Sequence, residues 1–349
     1  MVTFGLLEYR ETGNLGDEIQ SIAAAGLLPR VDCFVDRDDL GGFSGEAPMA
    51  LIVHGWFAHT PETWPPAPAI RPLLISMHVS ADPGFGPSGL SAREFFLTAP
   101  AVDYLKAHGP VGARDAATVE CLERAGVPAY FSGCLSLTLA PRSVPRGDAI
   151  VLNDVPAEVA AHVRRHTRRP VAVTTHMDRA ITDRAGRFAR AEELLNIYAG
   201  AHCVVTARLH CALPCLALGT PVLLLDATPD RARFSGLEGY YRHCMPEDFL
   251  SGASGFNVES PAPNRDDFRK LAAALKNRVA EFVSRAERGA LPAPPMDAET
   301  LATARRDTLL ALLESARTES AALRRALAAK EREIARLHER GSAAAMNSK

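Results

Sequence analysis

Cys203-Val204-Val205-Thr206-Ala207-Arg208-Leu209-His210-Cys211-Ala212-Leu213-Pro214 joins two kinds of element within one stretch of chain. The first four residues form a short, β-branched apolar run, the pattern of a buried strand, and an apolar helical pattern follows at once. The strand is therefore expected to end at Thr206, with Arg208 and His210 at the entrance of the next helix. In α/β sheets the carboxyl ends of strands are where functional side chains gather. A fixed cation and a titratable imidazole two residues apart are suited to binding an anion and moving a proton. A structural histidine satisfied in the core is the competing reading of His210. Zinc is another competing use of His202, Cys203, His210, Cys211 and Cys215, but the Cys211/Cys215 pair lacks a C-x-x-C partner, so no metal is expected.

The same strand-then-helix alternation runs outward in both directions. Val2–Leu7, Leu51–Val53, Leu73–Ile75, Ala149–Leu152, Val171–Val173 and Val222–Leu225 read as buried strands, with helical patterns such as Ala116–Ala125 and Ala191–Ala199 between them. This predicts parallel sheets built from βαβ units. The Pro- and Arg-rich stretch 141–147 is the best linker, which divides an N-terminal Rossmann-like domain (1–140) from a C-terminal one (148–290). Two such domains facing one another place a ligand cleft at their strand ends. After Ala290-Leu291-Pro292-Ala293-Pro294-Pro295 the composition changes, and a helical tail over 296–340 is expected. From Arg305 to Arg340, 15 of 36 residues are charged, 9 basic and 6 acidic. Leu309, Leu313, Ala316, Ser320, Leu323, Leu327, Lys330, Ile334 and Leu337 repeat at 4-3 spacing, which suits a self-associating coiled coil. A solvated helix packed on the body and a basic helix touching a membrane surface are the other two readings.

Composition narrows the class. The chain has 349 residues, 47% hydrophobic and 23% charged, with a formal net charge of -2. These are globular values without the basic field that nucleic acid requires. No run approaches the ~18 apolar residues of a membrane span. The N-terminus lacks the basic region and cleavage site of a signal peptide. Seven scattered cysteines, two of them in an apolar helix, suit reduced thiols and a cytoplasmic location.

Two further segments carry candidate chemistry. Gly13-Asn14-Leu15-Gly16-Asp17-Glu18 links the opening strand to a helix, and glycines there let backbone amides approach an anion at the helix start. The spacing matches neither a dinucleotide fingerprint nor a Walker loop. In the structural reading, Gly13 and Gly16 shape the turn while Asn14 or Asp17 caps the helix. Gly112-Ala113-Arg114-Asp115 sets an arginine before a helix, where it holds a phosphate or carboxylate or else merely decorates the cap. Ser132-Gly133-Cys134-Leu135-Ser136 follows, either as cleft hydroxyls or as a turn. His54 and Trp56 after one strand offer a sugar platform or ordinary core packing, and His78 after the next is a weaker site candidate or a structural histidine.

Taken together, Gly13–Asp17, Gly112–Asp115 with Ser132–Leu135, Thr206–Pro214, Gly219-Thr220-Pro221-Val222 and Arg233–Leu237 resemble the polysaccharide pyruvyltransferase family. The resemblance covers about Leu6 to Leu237, is most specific at Arg208-Leu209-His210, and leaves out the tail. It implies a glycosyltransferase-B-like architecture of two Rossmann-like domains. It implies transfer of pyruvate from phosphoenolpyruvate to two sugar hydroxyls, giving a cyclic ketal and phosphate, with no cofactor beyond that co-substrate. Arg114, Arg208, Leu209, Asn14 and Gly16 are then expected at the donor. His210 is expected to be catalytic, as the acid toward the donor methylene or toward leaving phosphate, with Asp17 as a base. His78, His54, Trp56, Ser132, Arg233 and Ser235 are the acceptor or cleft candidates. The expected partners are a sugar or lipid-linked glycan, the latter at the inner membrane face, and a second copy through the heptads. A nucleotide-sugar glycosyltransferase shares the architecture but has no nucleotide motif here; a non-catalytic scaffold would not need Arg114, Arg208 and His210.

Overall fold

The computed structural model describes residues 2–10, 12–45, 47–56, 63–80, 92–227 and 231–346. Two parallel sheets organise them. The first contains β1 (Thr3–Glu8), β2 (Cys33–Asp36), β3 (Met49–Trp56), β4 (Ile70–His78), β5 (Val111–Ala113) and β6 (Ala129–Phe131), in the order β2-β1-β3-β4-β5-β6. The second contains β7 (Ile150–Asn153), β8 (Val171–Thr174), β9 (Cys203–Thr206), β10 (Val222–Leu225) and β11 (Arg242–Cys244), in the order β11-β10-β9-β7-β8. All of these strand pairings are parallel. Strands β3, β9 and β10 are buried on both faces, which is why they read as continuous rather than alternating apolar runs.

The connecting helices are α1 (Gly16–Ala25), α2 (Ala92–Phe96), α3 (Ala99–His108), α4 (Ala116–Arg124), α5 (Ala157–His166), α6 (Arg184–Gly200), α7 (Leu209–Leu218), α8 (Pro246–Leu250), α9 (Phe268–Glu287) and α10 (Ala298–Met346). Strand order reverses once in each sheet, between β1 and β3 and between β7 and β9. A crevice opens at the carboxyl ends of strands at such a reversal. The loop after β1 and Trp56 at the end of β3 border the first, and Asp154 and Arg208 border the second.

The two halves do not stand apart along their whole length. Phe4, Leu15 and Ile19 of the first half share one apolar cluster with Leu194, Tyr198, Leu213 and Leu275 of the second, and α1 lies on α6 and α7. With about 1.5–3 kcal/mol for each large aliphatic side chain fully buried, this seam joins the halves firmly. Backbone bonds continue it: the Leu15 amide donates to His176 O at 2.8 Å and the Asp178 amide to Gly13 O at 2.8 Å. Arg187 and Glu18, both buried, add a two-point ion pair across it at 2.6 and 2.9 Å.

The 141–147 stretch runs without regular structure but is pinned to the second half. Arg142 meets Glu192 at 2.6 Å, Arg146 donates to Ala201 O at 3.0 Å, and the Gly147 amide donates to Gly200 O at 2.7 Å. Helix α9 reaches back to the first half, packing on the 3-10 turn Leu135–Thr138 and setting Arg278 over the Tyr130 ring at 5.2 Å. Helix α10 continues that return: Leu301 is buried and Arg305 bonds to the carbonyls of Gly41 and Pro65. Beyond Leu312 its apolar residues turn outward, with Leu323 64% and Leu327 62% exposed. Among the described residues no helix is long and apolar enough to cross a membrane.

Candidate active site

Strand β9 delivers its chemistry through one hydroxyl. Thr206 Oγ1 accepts the Arg208 amide at 3.0 Å and donates to Asn153 Oδ1 at 3.1 Å, turning the chain from strand into helix α7. His210 follows in the first turn of α7, 5% exposed. Opposite it lies Gly16 at the start of α1. A Cβ there would stand 3.0 Å from His210 Cβ, 3.1 Å from Asn14 Oδ1 and 3.1 Å from His176 Nδ1. Glycine is needed at position 16 so that the two helix starts can touch.

Arg114 enters the same cluster from the end of β5, its amide bonded to Met77 O at 2.8 Å. Its side chain is 2% exposed, and its Nε lies 3.6 Å from Asp115 Oδ2. Arg114 Nη2 has no hydrogen-bond partner among the described residues, and neither has His210 Nε2. Buried polar groups are nearly always bonded, so two unspent donors or acceptors in one cluster mark a place built for a ligand. Burial holds His210 well below its usual pKa of 6.5, and Arg114, Arg233, His176 and His54 push the same way. His210 is therefore neutral at pH 7 in the free protein.

Arg233 comes from a loop of the second half that clamps onto the first. Ser235 Oγ accepts the Ala117 amide at 2.9 Å and Ser235 O accepts the Ala116 amide at 2.9 Å, capping α4. Ser235 thus positions Arg233. Ser132 is also a staple: its Oγ accepts the Ser76 amide at 3.1 Å and donates to Ala113 O at 3.0 Å, binding β4 and β5 to the end of β6.

His78 closes the cluster from the end of β4. Its Nδ1 lies 2.6 Å from Asp115 Oδ2, while Asp115 Oδ1 accepts the Thr118 amide at 2.9 Å and hydroxyl at 2.7 Å. Trp56 stands edge-on to the His78 ring, centroids 6.1 Å apart. His54 is fully buried and meets Tyr9 Oη at 3.4 Å through Nδ1; burial, with Arg37 next, holds it down to about 3.

Arg208 and Asp17 have protein partners. Arg208 Nε bonds Asp154 Oδ2 at 2.9 Å, with its side chain 38% exposed. Asp154, at a φ of 50°, also accepts the Thr175 hydroxyl at 2.6 Å and the His176 amide at 2.9 Å. Despite burial, those bonds and Arg208 keep its carboxyl below the ordinary range. Asp17 receives Thr12 Oγ1 at 3.4 Å and Gln20 Nε2 at 3.5 Å, with Arg37 Nη1 at 3.9 Å. Asn14 Oδ1 accepts the Gly16 amide at 3.2 Å, and Leu209 occupies the first position of α7.

Sequence reasoning missed His176 and Asp154. His176 donates or accepts at Tyr198 Oη over 2.9 Å, and burial lowers it to about 4. Both follow strands β7 and β8, so the rule that singled out Arg208 at the end of β9 would have found them. Among the described residues no three His, Cys, Asp or Glu side chains converge as a metal site.

Residues 83–228 match the family described as polysaccharide pyruvyl transferase. No match is found among curated proteins. The matched segment contains Arg114, Asp115, Asp154, His176, Arg208 and His210, whereas the glycine loop, His54, His78 and Arg233 lie outside it and join the site through the fold. Over residues 83–228, the chain is similar to the polysaccharide pyruvyl transferase family.

Proposed function

We propose that this protein transfers the pyruvyl group of phosphoenolpyruvate to two hydroxyls of one sugar in a glycan or glycan precursor, closing a cyclic ketal and releasing phosphate. The family supports transfer of a pyruvyl group to a polysaccharide. The observation that carries the donor is the unspent pair, Arg114 Nη2 and His210 Nε2, both buried and within the influence of Arg233. A small molecule bearing a carboxylate and a phosphate suits two arginines and an orphaned imidazole nitrogen. Arg208, held by Asp154 at the second crevice, is the reserve cation for the phosphate or for a charged carrier on the acceptor.

Charge explains why His210 is the acid. It is neutral in the free protein because burial, and after it the charges of Arg114 and Arg233, disfavour its protonated form. The donor's negative charges offset those cations, so the imidazole takes up a proton as the complex forms. It then delivers that proton to the donor methylene, converting the carbon beside it into the electrophile that a sugar hydroxyl attacks. The amide at Leu209, at the start of α7, adds a dipole favourable to anions. Asn14 and Gly16 hold the facing helix start at contact distance from His210. Asp17 is assigned a positioning part through Arg37 and Gln20.

The heptads of α10 are assigned to a second copy of this chain. In a parallel pair Glu319 lies opposite Arg324 of the partner subunit, the favourable g-to-e pairing of a coiled coil. The acceptor's carrier, whether free, nucleotide-linked or lipid-linked, is set by the experiment. Phosphate release from phosphoenolpyruvate is measured against a panel of hexose acceptors, with mass analysis of the products. A sugar that gains a pyruvate ketal, in a manner dependent on Arg114 and His210, supports the reading. No release with any acceptor, together with a thermal shift by a nucleotide sugar alone, overturns it in favour of glycosyl transfer.

A further inference from the structure

The pyruvyl-transfer reading leaves one proton without a destination. His210 supplies the proton that makes the methyl group, yet the attacking sugar hydroxyl must lose one at the same time. The base for that step needs a lone pair, a neutral resting state and a means of holding the resulting positive charge.

His78 has these properties, and none of the residues already given a role does. It stands at the end of β4 in the first half, whereas His210 stands at the start of α7 in the second, and Arg114 and Arg233 act on both rings. Their polar environments differ in the carboxylate. Nδ1 of His78 is bonded at 2.6 Å to Asp115, a carboxylate wholly buried at the cap of α4, while His210 has no carboxylate partner among the described residues. A carboxylate only accepts hydrogen bonds, so Nδ1 carries the proton and Nε2 carries the lone pair. Thr118 locks the carboxylate by giving its other oxygen both an amide and a hydroxyl, and the same hydroxyl accepts the Val79 amide at 3.0 Å. The ring is thus fixed in tautomer and in direction. A histidine backed by a fixed carboxylate is the arrangement that accepts a proton from a hydroxyl and stabilises the imidazolium formed.

We infer that the His78–Asp115 dyad is the general base that activates the acceptor hydroxyl, working from the opposite side of the donor to His210. This rests on the pyruvyl-transfer reading. In the first step the hydroxyl proton passes to His78 Nε2, the hydroxyl oxygen bonds to the donor's central carbon, and the π pair of the donor takes the proton of His210 to become the methyl group. In the second step the carbon–oxygen bond to phosphate breaks, its electron pair leaving with the phosphate, which takes the proton from His78; the second hydroxyl bonds to the carbon in its place and gives its proton to His210. One hydroxyl proton is thereby accounted for on the methyl group and the other on phosphate, so the two histidines return to their starting states. Trp56, edge-on to His78, then borders the acceptor rather than the donor.

The charged groups facing His78 are Asp115, Arg114 and Arg233. Burial and the two arginines lower its affinity for a proton, and Asp115 raises it. Removing that carboxylate charge must therefore move the acidic limb of the rate profile to lower pH. The test compares wild type with His78→Gln, His78→Ala and Asp115→Asn, the last keeping a cap oxygen for Thr118. Donor affinity is read by calorimetry with phosphoenolpyruvate, and turnover by phosphate release with the active acceptor. The expected result for His78→Gln is at least a 100-fold loss of kcat with donor Kd changed less than about 3-fold. Free imidazole should restore part of the turnover of His78→Ala, and Asp115→Asn should shift the acidic limb downward. Retained turnover in His78→Gln, or a loss confined to donor affinity, overturns the dyad while leaving pyruvyl transfer in place. Absence of turnover in wild type overturns both. If His78→Gln does not fold, the shift in Asp115→Asn and the imidazole rescue decide the matter, and failure of both overturns the assignment.

Discussion

Two sets of buried charges lie between the halves of this molecule, and they are built on opposite plans. In the seam, Glu18 and Arg187 spend their charges on one another in a two-point pair at 2.6 and 2.9 Å. In the candidate active site, Arg114 is as deeply buried, yet its Nη2 and the Nε2 of neighbouring His210 have no bonding partner among the described residues. A satisfied buried pair serves architecture, because removing either partner strands the other. An unsatisfied pair lowers the stability of the free protein unless water or a ligand completes it. The comparison makes a sharp division: changes in the site should alter chemistry without unfolding the protein, and changes in the seam should do the reverse.

The largest expected effect is on the site side. His210→Gln should lower turnover by about 10²–10⁴-fold, the usual contribution of a positioned acid, with thermal unfolding moved by no more than a few degrees. A collapse of the melting temperature would erase the division by making His210 a structural residue. Next is the seam. Arg187→Met leaves Glu18 buried without its cation and should cost about 3–5 kcal/mol in denaturant unfolding, while the folded fraction keeps its kcat. Replacing both residues by apolar ones of similar volume should recover most of that loss. Equal losses of kcat in the single variant would show that the seam takes part in the chemistry.

Acid should separate the two plans further. His54 and His176 are held down to about 3 and about 4 by burial, so between pH 6.5 and 5 the unfolded chain takes up protons that the folded chain refuses. Stability falls as pH drops through that window, by about 2 kcal/mol for each of the two at pH 5, with His210 acting in the same direction. Glu18 acts in reverse. Burial raises it to about 7, so its folded form gains a proton below that pH and offsets about 2 kcal/mol of the loss. Chemical denaturation of wild type at pH 7 and pH 5 should show the net loss, and Glu18→Gln should steepen it. A stability that does not change over this range would mean that these histidines are not held neutral.

The same contrast marks what a sequence can and cannot disclose. Strands such as Val222–Leu225 and the turn from Thr206 into α7 were legible because burial on both faces leaves an unbroken apolar run. Arg114 and His210 were legible as polar residue types at strand ends. The pairings were not. Nothing in one sequence says that Glu18 meets Arg187 from 169 positions away, or that Ser235 caps a helix 118 positions earlier. Nor does it say that Arg208 bonds Asp154, which follows a different strand 54 positions before it. The staple of Ser132 to the Ser76 amide, which spans two strands, was equally hidden. Local periodicity reports burial, whereas partners are settled by topology.

The smallest expected effect on the fold concerns the tail, which divides within a single helix. Up to Leu312, α10 contributes Leu301 and Arg305 to the first half; beyond it, Leu313, Leu323, Leu327 and Ile334 face outward. Ending the chain after Leu312 removes the outward stripe and keeps the docked turns. If the stripe pairs two copies, light scattering should show the mass fall to that of one chain. Unfolding of the body should change by less than about 0.5 kcal/mol, because the lost residues touch little of it. A mass that does not change would remove the second copy from the heptads. A large loss of stability would instead mean that the distal helix packs on the body, and the sequence pattern of alternating four and three would then reflect packing in cis. Because a heptad seam buries Leu313 and Leu327 only when two helices meet, the concentration at which the mass falls measures the strength of that seam directly.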